Sequence, residues 1–393
     1  MLGAISISSN VMGPESVGAR KNTQFSVTCL RVFTPSPMLG SSMNMDPVCS
    51  QLLANLPRDI PAPRGLEPLP DKGLAHWHVR LIGTGWLARI PKQSQMDLAA
   101  LENLRYQSAC FQRAAPSGHV PLLHSVIEPS DGMPRGALLV EEIVGTPASE
   151  PRHLAPIMQA LAAIHALPVP LPEERAPLLN ERNPLAGLVA LIDAQARYLD
   201  HAAVPPASAR AVKARLADLA QRMAPAVMAC PQRLITFDAH PGNFLITPSG
   251  QAVLVDLEKL RYSYPPLDLA HATLYTSTTW DRDASFQLST EAVARAYEVW
   301  AAAVGEAIAG PCRRALVPLR EMMWLWSVTW CAKWLAESAG GHGVRSDGED
   351  WSARNSEAAL IEHVRDRVND YLSSRCIERL LAEFDELQTV LAT

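Results

Sequence analysis

The sequence predicts an α+β protein of two lobes, a small strand-rich lobe followed by a larger helical lobe. The chain has 393 residues, and a typical domain has roughly 100 to 200. Short β-type runs recur from about 68 to 143, and Ala- and Leu-rich sequence with a helical period follows. We therefore place the lobes at 46–143 and 144–393, with one β island at 233–255 inside the helical lobe.

Composition and charge exclude several function classes. Hydrophobic residues make up 48% of the chain and charged residues 19%, which is a globular rather than a disordered composition. The net charge is −5, and the chain has no run of Lys and Arg. Nucleic-acid and anionic-membrane partners are therefore not expected. The longest apolar stretch, 315–336, carries Arg320, Glu321 and Lys333, so it predicts a buried helix rather than a membrane span.

The N-terminal segment and the cysteines predict no chemistry. Residues 1–45 are rich in Ser, Asn, Gly and Pro and lack a helical or strand period, so we expect a disordered tail or sequence upstream of the true start codon. The segment also lacks the basic start and apolar run of a secretory signal. The seven cysteines are scattered without a C-x-x-C pair. They indicate neither a disulfide framework nor a zinc site, and a cytoplasmic protein is expected.

The small lobe is predicted to be a sheet with one helix. The predicted order is strand 76–82, strand 86–90, helix 95–113, strand 120–127 and strand 137–143. The first two strands are joined by a three-residue glycine loop at 83–85, and Pro91 ends the second strand because proline cannot donate to a ladder. In the large lobe, helices are predicted at 155–167 and 207–228.

The β island carries a hairpin with polar side chains at its open end. Residues 244–247 and 252–255 are predicted strands of equal length, joined by a four-residue turn at 248–251. In that register Asn243 opposes Asp256, at the roughly 4.5 to 5.5 Å between Cα atoms of an antiparallel pair. Their side chains supply hard oxygen donors, the ligands that magnesium prefers. We therefore predict a magnesium site held by Asn243 and Asp256.

Asp238 adds a candidate base to this site. It lies five residues before Asn243, across a His-Pro-Gly turn. Kinases use an Asp that accepts the hydroxyl proton, an Asn five positions later on one metal ion, and a second Asp that bridges metal and phosphates. Each residue alone is more often a turn residue that caps backbone groups. The joint spacing favours a kinase site with Asp238 as the catalytic base.

This segment resembles the aminoglycoside phosphotransferase family, whose catalytic segment reads H-G-D-x-H-P-G-N and is followed by a hairpin, an Asp and a D-L-A element. The matching residues here are 236–243, Asp256 and 268–270, and residues 161–167 are similar to the family's helix before the catalytic loop. The resemblance runs from about 68 to 340 and is strong between 234 and 271. It implies a two-lobed protein-kinase-like fold, the use of ATP, and transfer of the terminal phosphate to a hydroxyl.

Two positions depart from the family pattern. The His two residues before the catalytic Asp is Thr236 here, which concerns rate more than mechanism. In the small lobe, a helix Glu normally pairs with a strand cation that holds the nucleotide phosphates. The matching helix residue here is Gln107, with Glu102 as the alternative.

The resemblance implies Arg89 as the strand cation, with Lys92 beyond the proline stop as the second choice. The candidate nucleotide-binding residues are therefore Arg89, Lys92, Gln107 and Glu141. Asp268 follows two prolines, where it would either cap a helix or support the catalytic loop. Trp326, Trp330 and Trp334 recur on one helix face, where they would either wall a substrate pocket or, more often for such a pattern, pack in the core.

The sequence thus predicts an ATP- and magnesium-dependent kinase, a transferase acting on an alcohol group of a small molecule. The alternative is a catalytically inactive nucleotide-binding pseudokinase, suggested by Thr236 and Gln107. A magnesium-dependent hydrolase that uses Asp238 on water is a third interpretation. No motif identifies the acceptor; choline-like amines, sugars, amino-acid derivatives and macrolides are acceptors that the wider fold implies. No oligomeric state is predicted.

Overall fold

A computed structural model describes residues 45–70, 73, 75–200, 204–339 and 358–392. The predicted tail at 1–45 therefore lies almost wholly outside the described residues. The strands are β1 (Leu66–Pro68), β2 (His76–Leu81), β3 (Trp86–Pro91), β4 (Leu123–Ile127), β5 (Ala137–Glu141), β6 (Thr146–Pro147), β7 (Arg233–Ile235), β8 (Phe244–Ile246), β9 (Ala252–Leu254) and β10 (Arg261–Ser263). The helices are α1 (Asp46–Ala54), α2 (Ala100–Ala114), α3 (Leu154–His165), α4 (Pro184–Ala196), α5 (Pro206–Val227), α6 (Pro266–Thr273), α7 (Tyr275–Thr278), α8 (Thr290–Val304), α9 (Glu306–Cys312), α10 (Leu316–Ala339), α11 (Ala358–Tyr371) and α12 (Ser374–Ala392).

The small lobe is a five-stranded antiparallel sheet in the order β1-β2-β3-β5-β4. Side chains alternate across β2 and β3, so the two faces of the sheet differ. Val79 and its cross-strand partner Ala88 are fully buried in a core completed by Leu52 of α1. The other face presents His78 directly opposite Arg89, and both line the cleft. Sequence reasoning found four of these strands and helix α2, but it missed β1 and α1.

The large lobe is helical and is built around α10. This helix packs against α4, α5, α6, α11 and α12, and its side chains Trp324 and Trp334 are fully buried. The predicted helix at 315–336 is therefore confirmed as a buried helix. Within the described residues, no helix combines the length and the apolar character needed to cross a bilayer. The predicted lobe boundary near 144 falls between β5 and α3.

The hairpin of the large lobe has a different register from the predicted one. β8 and β9 pair Phe244 with Leu254 and Ile246 with Ala252, and the amide of Val255 donates to the carbonyl of Asn243 at 2.9 Å. The connection is a three-residue loop rather than four, because Thr247 still pairs with the Gln251 carbonyl and Gly250 takes a left-handed φ of 84°. Asn243 thus opposes Val255, and Asp256 follows one residue later.

The cysteine prediction was wrong at one pair. Cys230, just after α5, forms a disulfide with Cys312 at the end of α9. The two residues are 82 positions apart in sequence. Only the packing of the large-lobe helices brings them together, so their spacing carried no signal.

Candidate active site

A cavity of about 510 Å³ lies between the sheet of the small lobe and the catalytic segment of the large lobe. The small lobe contributes Arg89, and the large lobe contributes Asp238, Asn243 and Asp256. The structure therefore brings the predicted base, both predicted metal ligands and the predicted strand cation to one cavity. Glu141, at the end of β5, also lines it.

The catalytic loop begins with a residue in an unusual backbone conformation. Phe237 has φ of 56°, the left-handed region that costs a non-glycine residue roughly 1 to 2 kcal/mol. It stands where the family pattern has glycine. Two features hold it: its amide donates to Asp268 Oδ1 at 2.8 Å, and its ring meets Trp326 edge to face at 5.3 Å. The surrounding structure thus imposes the turn that presents Asp238.

Asp268 supports this loop rather than capping a helix. Its side chain is fully buried, and besides Phe237 it accepts the amide of Thr236 at 2.7 Å. Nε2 of His165 lies 3.0 Å from Asp268 Oδ2, and Nδ1 of His165 accepts a hydrogen bond from the indole N–H of Trp300 at 3.0 Å. Because Trp300 can only donate, Nε2 of His165 carries the proton and donates to Asp268. The N-cap position of α6 is Pro265, with no side-chain cap.

Asp238 is an ionised carboxylate in a mostly buried position. Burial opposes ionisation, but Lys259 and then His240 and His271 outweigh it, so the pKa of Asp238 lies below its usual value. Lys259 Nζ donates to Oδ2 at 3.0 Å, which leaves Oδ1 as the less engaged oxygen. His271 Nδ1 is 3.8 Å from Oδ1. Burial lowers the pKa of His271 to about 4 against the opposing effect of Asp238, so the imidazole is neutral at neutral pH.

Asn243 and Asp256 present their oxygens on the same cavity. The Asn243 amide nitrogen donates to the Asp238 carbonyl at 2.9 Å, which fixes the side chain and leaves its amide oxygen available. Asp256 Oδ1 accepts from Arg89 Nη2 at 2.7 Å, and Arg89 Nη1 donates to the Val255 carbonyl at 2.7 Å. Burial alone would raise the pKa of Asp256, but the charge and hydrogen bond of Arg89, with other nearby cations, outweigh burial, so the pKa lies below its usual value. The predicted strand cation therefore links the small lobe to the hairpin.

Glu258, two residues after Asp256, lies beside this site. It is buried, its Oε1 has no hydrogen-bond partner among the described residues, and burial followed by the Asp256 charge raises its pKa to about 8. Ligand atoms of His76, Asp256 and Glu258 lie within 4.8 Å of one another. Asn243 and Asp256 line one cavity, and amide and carboxylate oxygens are the hard donors that magnesium prefers.

The other nucleotide candidates lie farther from this centre. Lys92 Nζ donates to the Gly73 carbonyl at 2.9 Å and lies over the ring of Trp77, at 5.9 Å. Lys92 is not among the residues that line the cavity. Gln107 is buried and bonds His76 rather than Arg89, whereas the alternative helix carboxylate, Glu102, is exposed.

The inner part of the cavity has aromatic walls. Trp280 meets Trp330 edge to face at 5.6 Å and lies 6.4 Å from the ring of Tyr371. Trp326 and Trp330 line the cavity, while Trp334 is fully buried, so the predicted tryptophan stripe divides between pocket and core.

Polar groups of α7 and the following turn complete this aromatic compartment. Thr276 and Ser277 line it, and their buried hydroxyls have no hydrogen-bond partner among the described residues. Asp281 Oδ1 accepts the amides of Asp283 and Ala284 at 2.7 and 3.1 Å. Asp281 packs against Gly242 of the catalytic loop, where a Cβ would come 2.6 Å from the Cβ of Asp281. Asp281 lines the cavity together with these aromatic side chains, and on another side of it Lys259 Nζ lies over the Trp326 ring, 5.8 Å from the ring centroid.

Comparisons with known proteins agree with this architecture. No curated protein sequence matches the chain. A choline/ethanolamine kinase family protein from Mesorhizobium loti superposes with a TM-score of 0.54 at 19% identity, covering 86% of this chain and 99% of that one. Choline kinase LicA from Streptococcus pneumoniae superposes with a TM-score of 0.52 at 13% identity, covering 83% of this chain and 98% of that one. The GDP and kanamycin complex of APH(2")-IIia superposes with a TM-score of 0.51 at 15% identity, covering 82% of this chain and 97% of that one.

These likenesses show the predicted two-lobed kinase-like fold. Residues 51–309, more than half of the chain, match the sequence profile of the phosphotransferase enzyme family (APH). The chain therefore belongs to the phosphotransferase enzyme family.

Proposed function

We propose that this phosphotransferase moves the terminal phosphate of ATP to a hydroxyl of a small molecule, with Asp238 as base and Asn243 and Asp256 as magnesium ligands. The observation that carries the proposal is the common cavity. It joins an ionised, largely buried Asp238 to the oxygen donors of Asn243 and Asp256. Family membership and the GDP named in one structural neighbour support the nucleotide.

Asp238 acts on the acceptor hydroxyl. Its Oδ2 is held by Lys259, so Oδ1 is the oxygen that orients the hydroxyl and takes its proton. The acceptor oxygen forms a bond to the terminal phosphorus, the bond to the bridging oxygen breaks, and ADP leaves. Lys259 keeps the base ionised between turnovers. A depressed pKa makes Asp238 a weak base, so its main contribution is to orient the hydroxyl until proton transfer late in the reaction.

Asn243, Asp256 and Glu258 would hold the metal. Bound magnesium neutralises charge on the transferred phosphate. Asp256 would exchange its bond with Arg89 for the metal, which would leave the charge of the Arg89 guanidinium available to the nucleotide phosphates. Glu141 is proposed to contact the nucleotide at the edge of β5; Lys92 and Gln107 would act through the small-lobe structure rather than by direct contact.

The aromatic compartment is the proposed acceptor site. Tryptophan faces attract cations, and the Asp281 carboxylate, which lines the same cavity, would pair with one. Thr276 and Ser277 offer hydroxyls to a polar ligand. We therefore propose a hydroxylated amine as the acceptor. The kinases of choline and ethanolamine among the structural neighbours, and the kanamycin complex, support that chemical class.

The competing proposal is a pseudokinase, which Thr236 and Gln107 suggest. Thr236 nevertheless serves the loop, because its hydroxyl accepts the amide of Asp238 at 3.3 Å. That contact favours a competent loop over a degenerate one.

The test is ATP-dependent phosphorylation of a panel of hydroxylated amines, sugars and antibiotics, read as the mass gain of one phosphate. We expect transfer to at least one amine and none with Asp256→Ala, which should also weaken Mg-ATP binding. Nucleotide binding without transfer to any acceptor would favour the pseudokinase. Phosphate release with no acceptor consumed would favour the hydrolase.

A further inference from the structure

Three buried polar side chains form a line across the small lobe. Arg89 on β3, His76 on β2 and Gln107 on α2 are each at most 3% exposed. Arg89 Nη2 lies 3.4 Å from His76 Nδ1, and His76 Nε2 lies 3.0 Å from Gln107 Oε1. His76 therefore occupies the space between the strand cation and the helix residue, where the family pattern has an ion pair.

The donors and acceptors of this line admit one proton arrangement. A guanidinium has only donors, so Nδ1 of His76 accepts from Arg89. A neutral imidazole then carries its proton on Nε2, which donates to the amide oxygen of Gln107. The oxygen of Gln107 must face His76 for this arrangement, as the structure has it. The sequence of bonds is thus self-consistent and contains no carboxylate.

Other charged groups lie near His76 without replacing these bonds. Glu258 Oε2 is 3.9 Å from His76 Nε2, and the charge of Lys92 also acts on His76. Burial, and next the charge of Arg89, lower the pKa of His76 to about 3. His78, two residues along β2 from His76 and directly opposite Arg89, has its Nε2 3.5 Å from Arg89 Nη1, at the outer limit of a hydrogen bond. The imidazole of His76 therefore stays neutral in the presence of the guanidinium.

We propose that His76 and Gln107 are positioning residues that hold the Arg89 guanidinium in the cavity through a neutral relay, in place of an ion pair between Arg89 and a carboxylate on α2. The inference rests on the proposed function in one respect, the assignment of Arg89 to the nucleotide phosphates. Because the relay carries no negative charge, the charge of Arg89 remains available to Asp256 and to the phosphates. Gln107 is then a working part of a nucleotide site rather than a sign of its loss.

The relay is tested by Mg-ATP titration of His76→Phe, His76→Gln, Gln107→Leu and the double variant His76→Phe/Gln107→Leu. Phenylalanine fills the space of histidine but neither accepts nor donates. Glutamine does both, since its oxygen accepts from Arg89 and its amide group donates to Gln107. His124→Phe is the matched control, because His124 lies in the same sheet against Trp86 and away from Arg89. Thermal melts establish that each variant is folded.

We expect His76→Phe to weaken Mg-ATP binding by roughly 3- to 10-fold, because the 3.4 Å contact with Arg89 is long and is worth about as much as an ordinary hydrogen bond. Gln107→Leu should weaken binding less than His76→Phe does. The double variant should lose no more affinity than His76→Phe alone, because both changes break the same relay. His76→Gln and His124→Phe should have little effect. In assays of transfer, the KM for ATP should rise while the KM for the acceptor stays unchanged.

Equal losses for His76→Phe and His76→Gln, or additive losses in the double variant, would overturn the relay. Should His76→Phe fail to fold, an unchanged affinity in Gln107→Leu would overturn it in the same way. These outcomes are distinct from failure of the proposed function, which would appear as a wild-type protein that binds no Mg-ATP.

Discussion

Replacing Asp268 with asparagine changes one atom of the buried support beneath the catalytic loop. The carboxylate accepts three hydrogen bonds: the amides of Thr236 and Phe237 and the imidazole of His165. An asparagine oxygen at the Oδ2 position keeps the bonds from Thr236 and His165 as neutral ones. Its NH₂ group then faces the amide of Phe237, so two donors oppose each other in a site without solvent.

The magnitude follows from these contacts. Loss of one hydrogen bond to a charged group costs about 1.5 to 3 kcal/mol, and leaving the Phe237 amide buried and unsatisfied adds about 1 to 3 kcal/mol. Weakening of the bonds from Thr236 and His165 increases the loss of stability, and partial relaxation of the surrounding structure reduces it. We expect a loss of roughly 3 to 5 kcal/mol in the free energy of unfolding, a large fraction of the 5 to 15 kcal/mol typical of a folded protein. The left-handed φ of Phe237 should relax, so Asp238 loses its position.

The assay pairs urea unfolding with phosphate transfer, and Asp370→Asn serves as the control. Asp370 accepts one hydrogen bond from the Tyr275 hydroxyl at a partly exposed position, so its variant should lose no more than about 1 kcal/mol. Transfer by Asp268→Asn should fall under conditions in which the variant remains folded. A loss below about 1 kcal/mol, or full transfer by the folded variant, would refute the role assigned to Asp268.

Three further predictions concern the cavity. Arg89→Ala should weaken Mg-ATP binding in a nucleotide titration, whereas Lys92→Ala should leave it nearly unchanged because Lys92 does not line the cavity and its ammonium bonds the Gly73 carbonyl; equal losses would contradict the assignment. Asp281→Asn should raise the KM of a hydroxylated amine by roughly 10-fold but not that of a neutral isostere, while Asp283→Asn, at an exposed neighbour, should change neither. In metal-free protein, burial raises the pKa of Glu258 to about 8 from a usual 4.5. Protonated Glu258 therefore contributes to the stability of the fold at low pH, and this contribution is lost as the pH rises through about 8. Glu258→Gln should flatten the fall in melting temperature between about pH 5 and 8, and an unchanged profile would show that Glu258 does not titrate there.

Local patterns were sufficient to predict the two lobes, four strands of the small-lobe sheet and the catalytic segment. Period and turn residues are local properties, and Asp238, Asn243 and Asp256 are separated by short fixed spacings. The hairpin register was predicted one residue off, because a left-handed Gly250 shortens the loop and sequence alone does not show which residue adopts that conformation.

Contacts made by tertiary packing could not be predicted. Lys259 reaches Asp238 across a turn, and its sequence position resembles that of a solvated lysine. His76 lies 31 residues from Gln107 and meets it only in the folded small lobe. The disulfide between Cys230 and Cys312 depends in the same way on helix packing.

The most direct test of the central claim is Asp238→Asn, with Mg-ATP affinity and phosphate transfer measured on the same preparation. The asparagine oxygen can still accept from Lys259, so the nucleotide site should keep nearly normal affinity. Transfer should fall by roughly 10² to 10⁴, the usual contribution of a positioned general base. Retention of full transfer by Asp238→Asn would contradict the account, because Asp238 would then be a turn residue and not the base.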